Sequence, residues 1–312
     1  MILPLVLAAI PCVYWDQGTE AAKRLEAAGV RRVCVPPQQA EAWRGLGFTA
    51  VPVGAAELAD RARLPAPGIR ARPERASATR SPWIDASGWR FQREPQGRFV
   101  YEVRGEAAPL AAAEAFAYGA DTLLRIAPQD VEPVGRMLEF LSRLPGDELP
   151  EVADLAVVDD GSPLQAEVMN LLVRRNLLFR VVHKPSPAFP VNVELGTSEF
   201  PRAAAADPSA FAIRVRRRLT DERRSLRIFG SEGVIARLTA DGPRARLHLL
   251  NYSGRELEGL RIRVRGSYSA GEALVAGHQP LPLEERSESE GATEFSLTVL
   301  TAYGVVDLSS AR

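Results

Sequence analysis

Cysteine, histidine and lysine are scarce in this sequence of 312 residues. The cysteines are Cys12 and Cys34, the histidines are His183, His248 and His278, and two of the 39 basic residues are lysines. Two cysteines in a chain of this length do not make a disulfide framework, and their spacing matches no metal motif. We therefore expect each cysteine to lie in a core strand as a small apolar residue, and we expect no metal and no cofactor.

The chain also lacks an excess of charge of either sign, since 39 basic residues balance 39 acidic ones. A nucleic-acid-binding protein would show a basic excess, so we expect no nucleic-acid partner. The arginine-rich stretches 214–218 and 223–227 lie beside Asp221 and Glu222, which favours a solvated, paired surface. No glycine-rich phosphate loop occurs, because the Gly-Leu-Gly at 45–47 lacks the rest of that motif.

The N-terminus, from Met1 to Ile10, is almost purely apolar. It ends near small residues, as a short export signal does, but it lacks the positive residues that precede the apolar part of such a signal. The alternative is that residues 5–10 or 12–15 form the first strand of an α/β domain. Both readings stay open, and with them export or a cytoplasmic location. The stretch is too short to span a bilayer, and we expect no membrane partner.

The clearest supersecondary unit runs from residue 155 to residue 182. Residues 155–158 form a short apolar run, which is typical of a strand buried on both faces. Ser162 and Pro163 mark the start of a helix, because serine caps helix N-termini and proline suits the first turn. Apolar residues then recur at helical spacing, and residues 179–182 form a second strand. The pattern predicts a βαβ unit with parallel strands.

Strands and helices also alternate upstream of this unit. Helices are predicted at 19–28, 38–46, 55–62, 107–118 and 131–144, and strands at 30–35, 48–53, 99–103 and 122–126. Such alternation implies parallel strands that are covered by helices. Residues 64–80 break the pattern with a long loop, in which only 68–72 resemble a strand.

From about residue 225 the pattern changes to short β runs separated by turn signals. These runs are 226–229, 234–238, 245–251, 260–264, 273–275, 293–299 and 303–308. Their even spacing predicts an antiparallel sandwich. The predicted fold class is therefore α/β in the N-terminal and middle regions, plus an all-β C-terminal sandwich domain. The predicted domains are 1–147, a barrel-like and degenerate α/β domain, 148–224, a middle α/β unit, and 225–312, the sandwich.

One strand of the predicted sandwich has an unambiguous pattern. Apolar and basic residues alternate from Leu260 to Arg265, so the apolar side chains share one face and the arginines share the other. The strand is therefore expected to be half exposed, with Ile262 buried and Arg263 in solvent. Glutamates of neighbouring segments, including Glu285 and Glu294, are expected to pair with the arginines.

The order of parts resembles the β-galactosidases of glycoside hydrolase family 42. The run Arg246-Leu247-His248-Leu249-Leu250-Asn251-Tyr252-Ser253, followed by 260–265 and 295–308, is similar to the terminal β domain of those enzymes. The unit 155–183 is similar to their middle, glutamine-amidotransferase-like domain. The resemblance implies a carbohydrate-active protein. The sequence departs from that family because about 150 residues replace a barrel that usually needs about 250. It also has no convincing strand-end catalytic glutamate, and the middle unit has no Gly-x-Cys-x-Gly nucleophile.

Two carboxylates flanked by aromatic residues are the candidate site. Asp16 follows Tyr14 and Trp15 where a first strand would end, and strand ends carry the sites of barrels. Asp85 lies among Trp83, Trp89 and Arg90. Glu102, on the strand 99–103, is the third catalytic candidate. Glycoside hydrolysis needs two carboxylates, and tryptophan faces suit sugar rings. The alternative interpretation is structural: Asp16 and Asp85 cap local turns, and the tryptophans belong to the core.

Three further acidic residues have a structural interpretation. Asp159 and Asp160 follow a parallel strand and would suit a cation, but a helix cap and turn is favoured. Glu114 lies in the middle of an alanine-rich helix and would need a partner such as Arg125.

Two functional hypotheses follow. The first is a glycoside hydrolase or a relative that acts on or binds a glycan, with Trp15, Asp16, Trp83, Asp85, Trp89 and Arg90 lining one pocket. The second is a non-catalytic binding or assembly module that retains the hydrolase-like domains without the acid pair. The partner expected in both cases is a small-molecule or glycan ligand, with a second copy of the chain as the other candidate.

Overall fold

A computed structural model describes residues 10–70, 83–146 and 149–310 of the chain. These residues form two compact units. The first contains residues 10–68 and 94–146, and the second contains 69–70, 83–93 and 149–310. The segment 69–93 was predicted as part of the N-terminal domain, and its described residues group with the second unit. The predicted domain boundaries stay predictions. Nine residues of the predicted export signal, 1–10, lie outside the described residues, as does most of the alternative first strand at 5–10. The other predicted first strand, at 12–15, agrees with a strand at Cys12–Tyr14.

The elements up to residue 146 alternate between strand and helix. In chain order they are β1 (Cys12–Tyr14), α1 (Ala22–Ala27), β2 (Arg32–Val35), α2 (Ala40–Gly45), β3 (Thr49–Pro52), α3 (Ala55–Asp60), β4 (Ala62–Leu64), β5 (Gly68–Arg70), β6 (Trp83–Asp85), α4 (Gly88–Arg93), β7 (Arg98–Val103), α5 (Ala107–Ala117), β8 (Asp121–Ile126) and α6 (Val131–Arg143). The predicted helix 55–62 is wrong at its end, because the chain leaves α3 after Asp60 and enters β4. The sequence also gave no signal for α4.

Six strands of the first unit form one parallel sheet, in the order β3-β2-β1-β8-β7-β4. The two edge strands, β3 and β4, are consecutive along the chain, and α3 joins them. A ladder between β3 and β4 would place the strands in the cyclic order of a barrel, but the described residues form no such ladder. The sheet is therefore that of a degenerate barrel with an opening between β3 and β4.

The two faces of this sheet have different chemistry. Helix α5 packs against β7 and β8, and α2 packs against β3, so one face is covered by helices. The opposite face carries a small apolar cluster of Cys12, Tyr14, Cys34, Val53, Val100 and Leu123. On this second face the apolar side chains give way to charged ones toward the carboxyl ends of the strands, where Glu102 and Arg125 lie.

The two cysteines correct a sequence prediction. Both are buried in core strands, as expected, but they are bonded to each other in a disulfide rather than free. β1 and β2 are neighbours in the sheet, which brings the two Cα atoms to 5.8 Å. That separation is typical of disulfides, and spacing along the sequence does not reveal it.

The second unit continues from residue 149. Its elements after α4 are β9 (Leu155–Val158), α7 (Pro163–Arg174), β10 (Phe179–Val182), β11 (Asn192–Val193), α8 (Pro208–Leu219), β12 (Leu226–Phe229), β13 (Val234–Ala240), β14 (Arg244–Asn251), β15 (Leu257–Arg265), β16 (Ala270–Val275), β17 (Leu281–Pro282), β18 (Glu284–Ser289), β19 (Ala292–Leu300) and β20 (Tyr303–Ser309). Strands β5 and β6 form a separate two-stranded sheet.

The predicted βαβ unit is confirmed. β9 pairs in parallel with β10 on one side and with β11 on the other, and α7 connects β9 to β10. All four residues of β9 are buried, as a central parallel strand requires. Ser162 caps α7 by accepting a hydrogen bond from the backbone N–H of Gln165 at 3.1 Å, and Pro163 begins the helix.

The predicted sandwich is also confirmed. A four-stranded sheet, β12-β15-β19-β18, faces a five-stranded sheet, β13-β14-β20-β16-β17. One buried core draws on both sheets: it includes Ile262 and Phe295 from the first, and Leu247, Leu249 and Val306 from the second. This architecture buries alternate side chains of every central strand.

The assignment of faces on β15 is correct, but the expected exposure of Arg263 is wrong. Ile262 lies opposite Phe295 and is fully buried. Arg263 lies opposite Glu294, with its Nε 3.6 Å from the Glu294 carboxylate, and only 8% of the residue is exposed. Arg261 contacts Glu285 and Glu294, which are two of the predicted partners. The long stem of Arg263 is covered by its neighbours, so this face is only partly solvated.

Candidate functional site

Three strand ends of the parallel sheet bring charged residues together. Tyr14, Arg125 and Glu102 are register partners across the adjacent strands β1, β8 and β7, so their side chains share a face. Asp16 follows β1 directly. Arg125 Nη2 donates to Asp16 Oδ2 at 2.7 Å, and Arg125 Nη1 lies 3.5 Å from Glu102 Oε1. One guanidinium therefore contacts two of the three predicted catalytic carboxylates.

A second arginine extends this group. Arg63 on β4 approaches Glu102, with 3.3 Å between Arg63 Nη1 and Glu102 Oε1. We call Asp16, Glu102, Arg63 and Arg125 the strand-end cluster. Its side chains are between 32% and 76% exposed, so each is accessible to a ligand. Two acids and two bases balance each other in charge.

Tyr14 and Trp15 lie beside the strand-end cluster but are largely buried. Burial raises the pKa of Tyr14, the charge of Asp16 raises it further, and Arg125 acts in the opposite direction. Trp15 is 2% exposed, and its indole Nε1 donates to the carbonyl of Gly18 at 3.1 Å. The Trp15 ring therefore presents almost no face to solvent, and its predicted role in ligand binding stays a prediction.

The second predicted carboxylate has its own partners. Asp85 on β6 accepts a hydrogen bond from Trp83 Nε1 at 3.0 Å, and its other oxygen lies 2.6 Å from Arg70 Nε. Arg174 of α7 lies over the Trp83 ring, 5.2 Å from its centroid. Asp85 is thus a strand-end carboxylate that is held by an arginine and an indole.

Trp89 and Arg90 lie on α4, in the same unit as Asp85. Trp89 is 7% exposed, and the Arg90 guanidinium lies 4.2 Å from its ring centroid. Arg90 Nη1 also donates to the carbonyl of Ala86 at 3.3 Å. These contacts occupy one face of the Trp89 ring, so a role for this ring as a sugar platform stays a prediction.

The structure groups the predicted site residues into two sets. Tyr14, Trp15, Asp16 and Glu102 belong to the first unit, and Trp83, Asp85, Trp89 and Arg90 belong to the second. A single pocket that contains both Asp16 and Asp85 therefore stays a prediction. Within the first unit, the structure joins Asp16 to Glu102.

Sequence reasoning missed the two arginines of the strand-end cluster. Arg125 was visible as a single charged residue inside the apolar strand 122–126, which is an unusual position in a buried strand. Arg63 gave no signal, because β4 was predicted as part of a helix and a loop.

The remaining acidic candidates have structural partners. Asp159 holds Arg93 through two hydrogen bonds of 2.7 and 2.8 Å, and Asp160 accepts from Ser162 N at 2.8 Å and also contacts Arg202. The favoured turn interpretation agrees with these contacts. Arg125 as the partner of Glu114 is wrong, because Arg125 lies on the other face of the sheet. Glu114 is fully buried and accepts a hydrogen bond from the Tyr101 hydroxyl.

Neither a cluster of metal ligands nor a membrane-spanning helix occurs among the described residues. No group of three or more histidine, cysteine, aspartate or glutamate side chains in them is arranged to hold a metal ion. None of the helices described is long and apolar enough to cross a bilayer.

The fold is similar to that of a solved glycoside hydrolase. A solved α-L-fucosidase, isoenzyme 2 from Paenibacillus thiaminolyticus, matches with a TM-score of 0.57 and 11% sequence identity. The match covers 94% of this chain and 72% of the fucosidase chain. At this identity the likeness concerns the fold alone.

Two β-galactosidases match less well. The enzyme from Rahnella sp. R3 has a TM-score of 0.40 at 10% identity, and the match covers 68% of this chain and 57% of the Rahnella chain. A variant of a family 42 β-galactosidase from G. stearothermophilus has a TM-score of 0.38 at 9% identity, and the match covers 96% of this chain and 59% of the galactosidase chain. This chain thus spans less than two thirds of either enzyme. No protein-family model matches the sequence, and no curated protein matches it.

Proposed function

We propose that this protein binds a carbohydrate through the strand-end cluster and does not cleave it. The observation that carries the proposal is the sharing of Arg125 by Asp16 and Glu102. Glycosidases need one carboxyl group that donates a proton and a second that acts as nucleophile or base. Here both carboxylates are ion-paired with the same guanidinium. Their environments are therefore alike, and nothing distinguishes one carboxylate as the acid and the other as the nucleophile or base.

The same arrangement suits binding. Carboxylates accept hydrogen bonds and guanidinium groups donate them, so the strand-end cluster presents fixed acceptors and donors to sugar hydroxyls. The cluster lies at the carboxyl ends of parallel strands, which is the edge where barrel-like folds bind ligands. The glycoside hydrolase-like fold supports a saccharide as the ligand, by analogy of fold.

Hydrolysis by Asp16 and Glu102 is the second candidate function. Two carboxylates that contact one guanidinium are close enough for the separations of about 5 to 9.5 Å that glycosidases use. Binding without turnover is favoured because Arg63 and Arg125 neutralise both carboxylates.

The test is a combined binding and turnover screen of the purified chain. A panel of soluble polysaccharides is screened by calorimetry, and a panel of aryl-glycosides is screened for release of the aryl group. We expect saturable binding of at least one glycan and no turnover. Arg125→Gln is expected to weaken binding about ten-fold or more, since the guanidinium orients both carboxylates. Arg136→Gln is the control, because Arg136 is an exposed residue of α6 whose ion pair is with Glu132, a residue outside the cluster.

Turnover that is lost in both Asp16→Asn and Glu102→Gln would contradict the proposal and establish the hydrolase. Binding that is equal in the Arg125→Gln and Arg136→Gln variants would show that the strand-end cluster is not the site.

A further inference from the structure

The second unit contains a cavity of about 240 Å³ that the strand-end cluster does not use. It lies where the end of α7, α8 and the start of the sandwich meet. The residues that line it are Leu171, Arg174, Arg175, Asn176, Arg216, Arg224, Arg227, Ile228, Phe229, Ser231 and Glu232. We call this the arginine cavity.

The arginine cavity has a large excess of positive charge. Five arginines and one acid, Glu232, line it. The nearby Asp221 compensates part of this charge: its carboxylate accepts from Arg216 at 2.6 and 2.9 Å and from Arg224 at 3.2 Å, and it lies 3.8 Å from Arg227. The hydrogen bonds from Arg216 hold the pKa of Asp221 well below its usual range. With Asp221 and Glu232 both ionised, the five arginines still leave the cavity with a net positive charge.

Two of the arginines are fixed in place. Arg224 is 5% exposed and donates to the carbonyls of Arg175 and Asn176 at 3.1 and 3.3 Å, which satisfies acceptors at the end of α7. Arg175 Nη2 donates to Ser209 Oγ at 3.1 Å. The Nε atoms of Arg175 and Arg224 are buried and have no hydrogen-bond partner among the described residues.

Burial makes this arrangement costly without a counter-ion. Burial lowers the pKa of both Arg175 and Arg224, because it removes water from around the charged guanidinium groups. Buried donors that lack acceptors cost free energy, and an oxyanion supplies both acceptors and the missing negative charge. The cavity therefore has the chemistry of an oxyanion site.

The rim of the cavity carries an aromatic ring. Phe229 is 37% exposed, and Arg227 lies 4.9 Å from its ring centroid. Aromatic faces suit the apolar face of a sugar ring. The volume is below the range of about 300–1,000 Å³ that drug-sized ligands occupy, so a single sugar residue is the appropriate size.

We infer that the arginine cavity binds the oxyanion group of an acidic saccharide, with the sugar ring against Phe229. This inference goes beyond the proposed function and takes from it only the class of ligand, a saccharide. The site is separate from the strand-end cluster, so the two can be tested independently.

The test is a titration of the full chain with glucuronate, glucose and inorganic phosphate, followed by calorimetry or by NMR. We expect glucuronate to bind, glucose to show no binding at the same concentrations, and the glucuronate affinity to fall as salt is raised. Arg175→Gln and Arg227→Gln are each expected to weaken glucuronate binding about ten-fold or more. Arg217→Gln should leave it unchanged, because Arg217 is an exposed residue of α8 outside the cavity. Phe229→Ala should weaken glucuronate binding but not phosphate binding.

Three results would overturn the inference. The first is the absence of glucuronate binding. The second is a glucuronate affinity that is unchanged in both Arg175→Gln and Arg227→Gln, once each variant has been shown to melt like the parent chain. The third is phosphate that binds as tightly as glucuronate, with Phe229→Ala affecting neither, because the site would then recognise an oxyanion without a sugar. Arg227→Gln and the salt dependence keep the test valid if Arg175→Gln fails to fold. Neutral glycan binding that depends on Arg125 would sustain the proposed function even if the arginine cavity binds nothing.

Discussion

The parallel sheet of the first unit and the sandwich of the second are stabilised by different means. The strands of the parallel sheet have three to six residues, the face opposite α2 and α5 carries a small apolar cluster, and a disulfide joins β1 to β2. The central strands of the sandwich, β14, β15, β19 and β20, have seven to nine residues and share one large apolar core without a disulfide. Short strands bury little apolar area, so a covalent link matters more there.

The comparison also separates two uses of arginine. Arg125 in the first unit is 44% exposed and sits between two carboxylates at a strand end. Arg263 in the sandwich faces Glu294 and is almost buried. Exposed ion pairs contribute little to stability, whereas a buried arginine also contributes the packing of its stem. Arg125 is therefore accessible to a ligand, whereas Arg263 is enclosed by its neighbours in the sandwich.

The largest effect is expected from the sandwich core. Ile262→Ala should lower the free energy of unfolding by about 2–5 kcal/mol, because Ile262 is fully buried and its removal leaves a cavity. Urea unfolding of the variant and the parent measures the loss. A loss below about 1 kcal/mol would show that the long strands are not the source of stability in this unit.

The disulfide is expected to rank next. Its cysteines are 22 residues apart, and closing a loop of this length in the unfolded chain stabilises the native state by about 3 kcal/mol. The paired variant Cys12→Ser, Cys34→Ser should therefore lose about that amount. Hydrogen exchange read by mass spectrometry should place the loss in residues 10–68 and 94–146. Equal protection in variant and parent would contradict the role given to the disulfide in the first unit.

A pH effect of intermediate size is expected in the sandwich. His248 is buried, its Nδ1 lies 2.7 Å from the Tyr303 hydroxyl, and burial, with Arg237 and Arg246 nearby, holds its pKa well below the usual value. Below about pH 6.5 the unfolded chain takes up a proton at His248 and the folded chain does not. Stability from this residue is therefore complete above that pH and falls as pH decreases, by up to about 1.4 kcal/mol per pH unit.

Chemical unfolding at pH 7.5 and 5.5 measures this effect. The variant His248→Asn, which keeps a polar atom near Nδ1 but does not titrate, should lose less stability over the same interval. Identical losses in the variant and the parent would mean that His248 is protonated in the folded chain or that other groups determine the slope.

The smallest effects are expected from the two arginines. Arg263→Ala should cost about 1–2 kcal/mol, since it removes a charged contact and the packing of a buried stem. Arg125→Ala should cost no more than about 1 kcal/mol, because its ion pairs are exposed. Urea midpoints of the two variants, measured side by side, test the ranking. The reverse order would show that exposure does not decide the contribution of arginine here.

The sequence determined the local structure and the pattern of faces. Ser162 and Pro163 specify where α7 begins, the apolar run 155–158 specifies a central parallel strand, and the alternation on β15 specifies which side chains enter the sandwich core. These features depend on residues that are neighbours along one element, and helical and strand periodicities expose them. The change to evenly spaced β runs near residue 225 likewise predicted the all-β region.

Only the tertiary structure decided which distant residues meet. The order β3-β2-β1-β8-β7-β4 places Arg125 beside Asp16, 109 residues away, and brings Cys34 beside Cys12. The arginine cavity likewise brings together residues of α7, α8 and β12. Its arginines from 214–218 and 223–227 were predicted only as part of a solvated, paired surface. Strand order and burial depend on how the elements pack together, and a pattern within one element carries no information about its neighbours across the sheet.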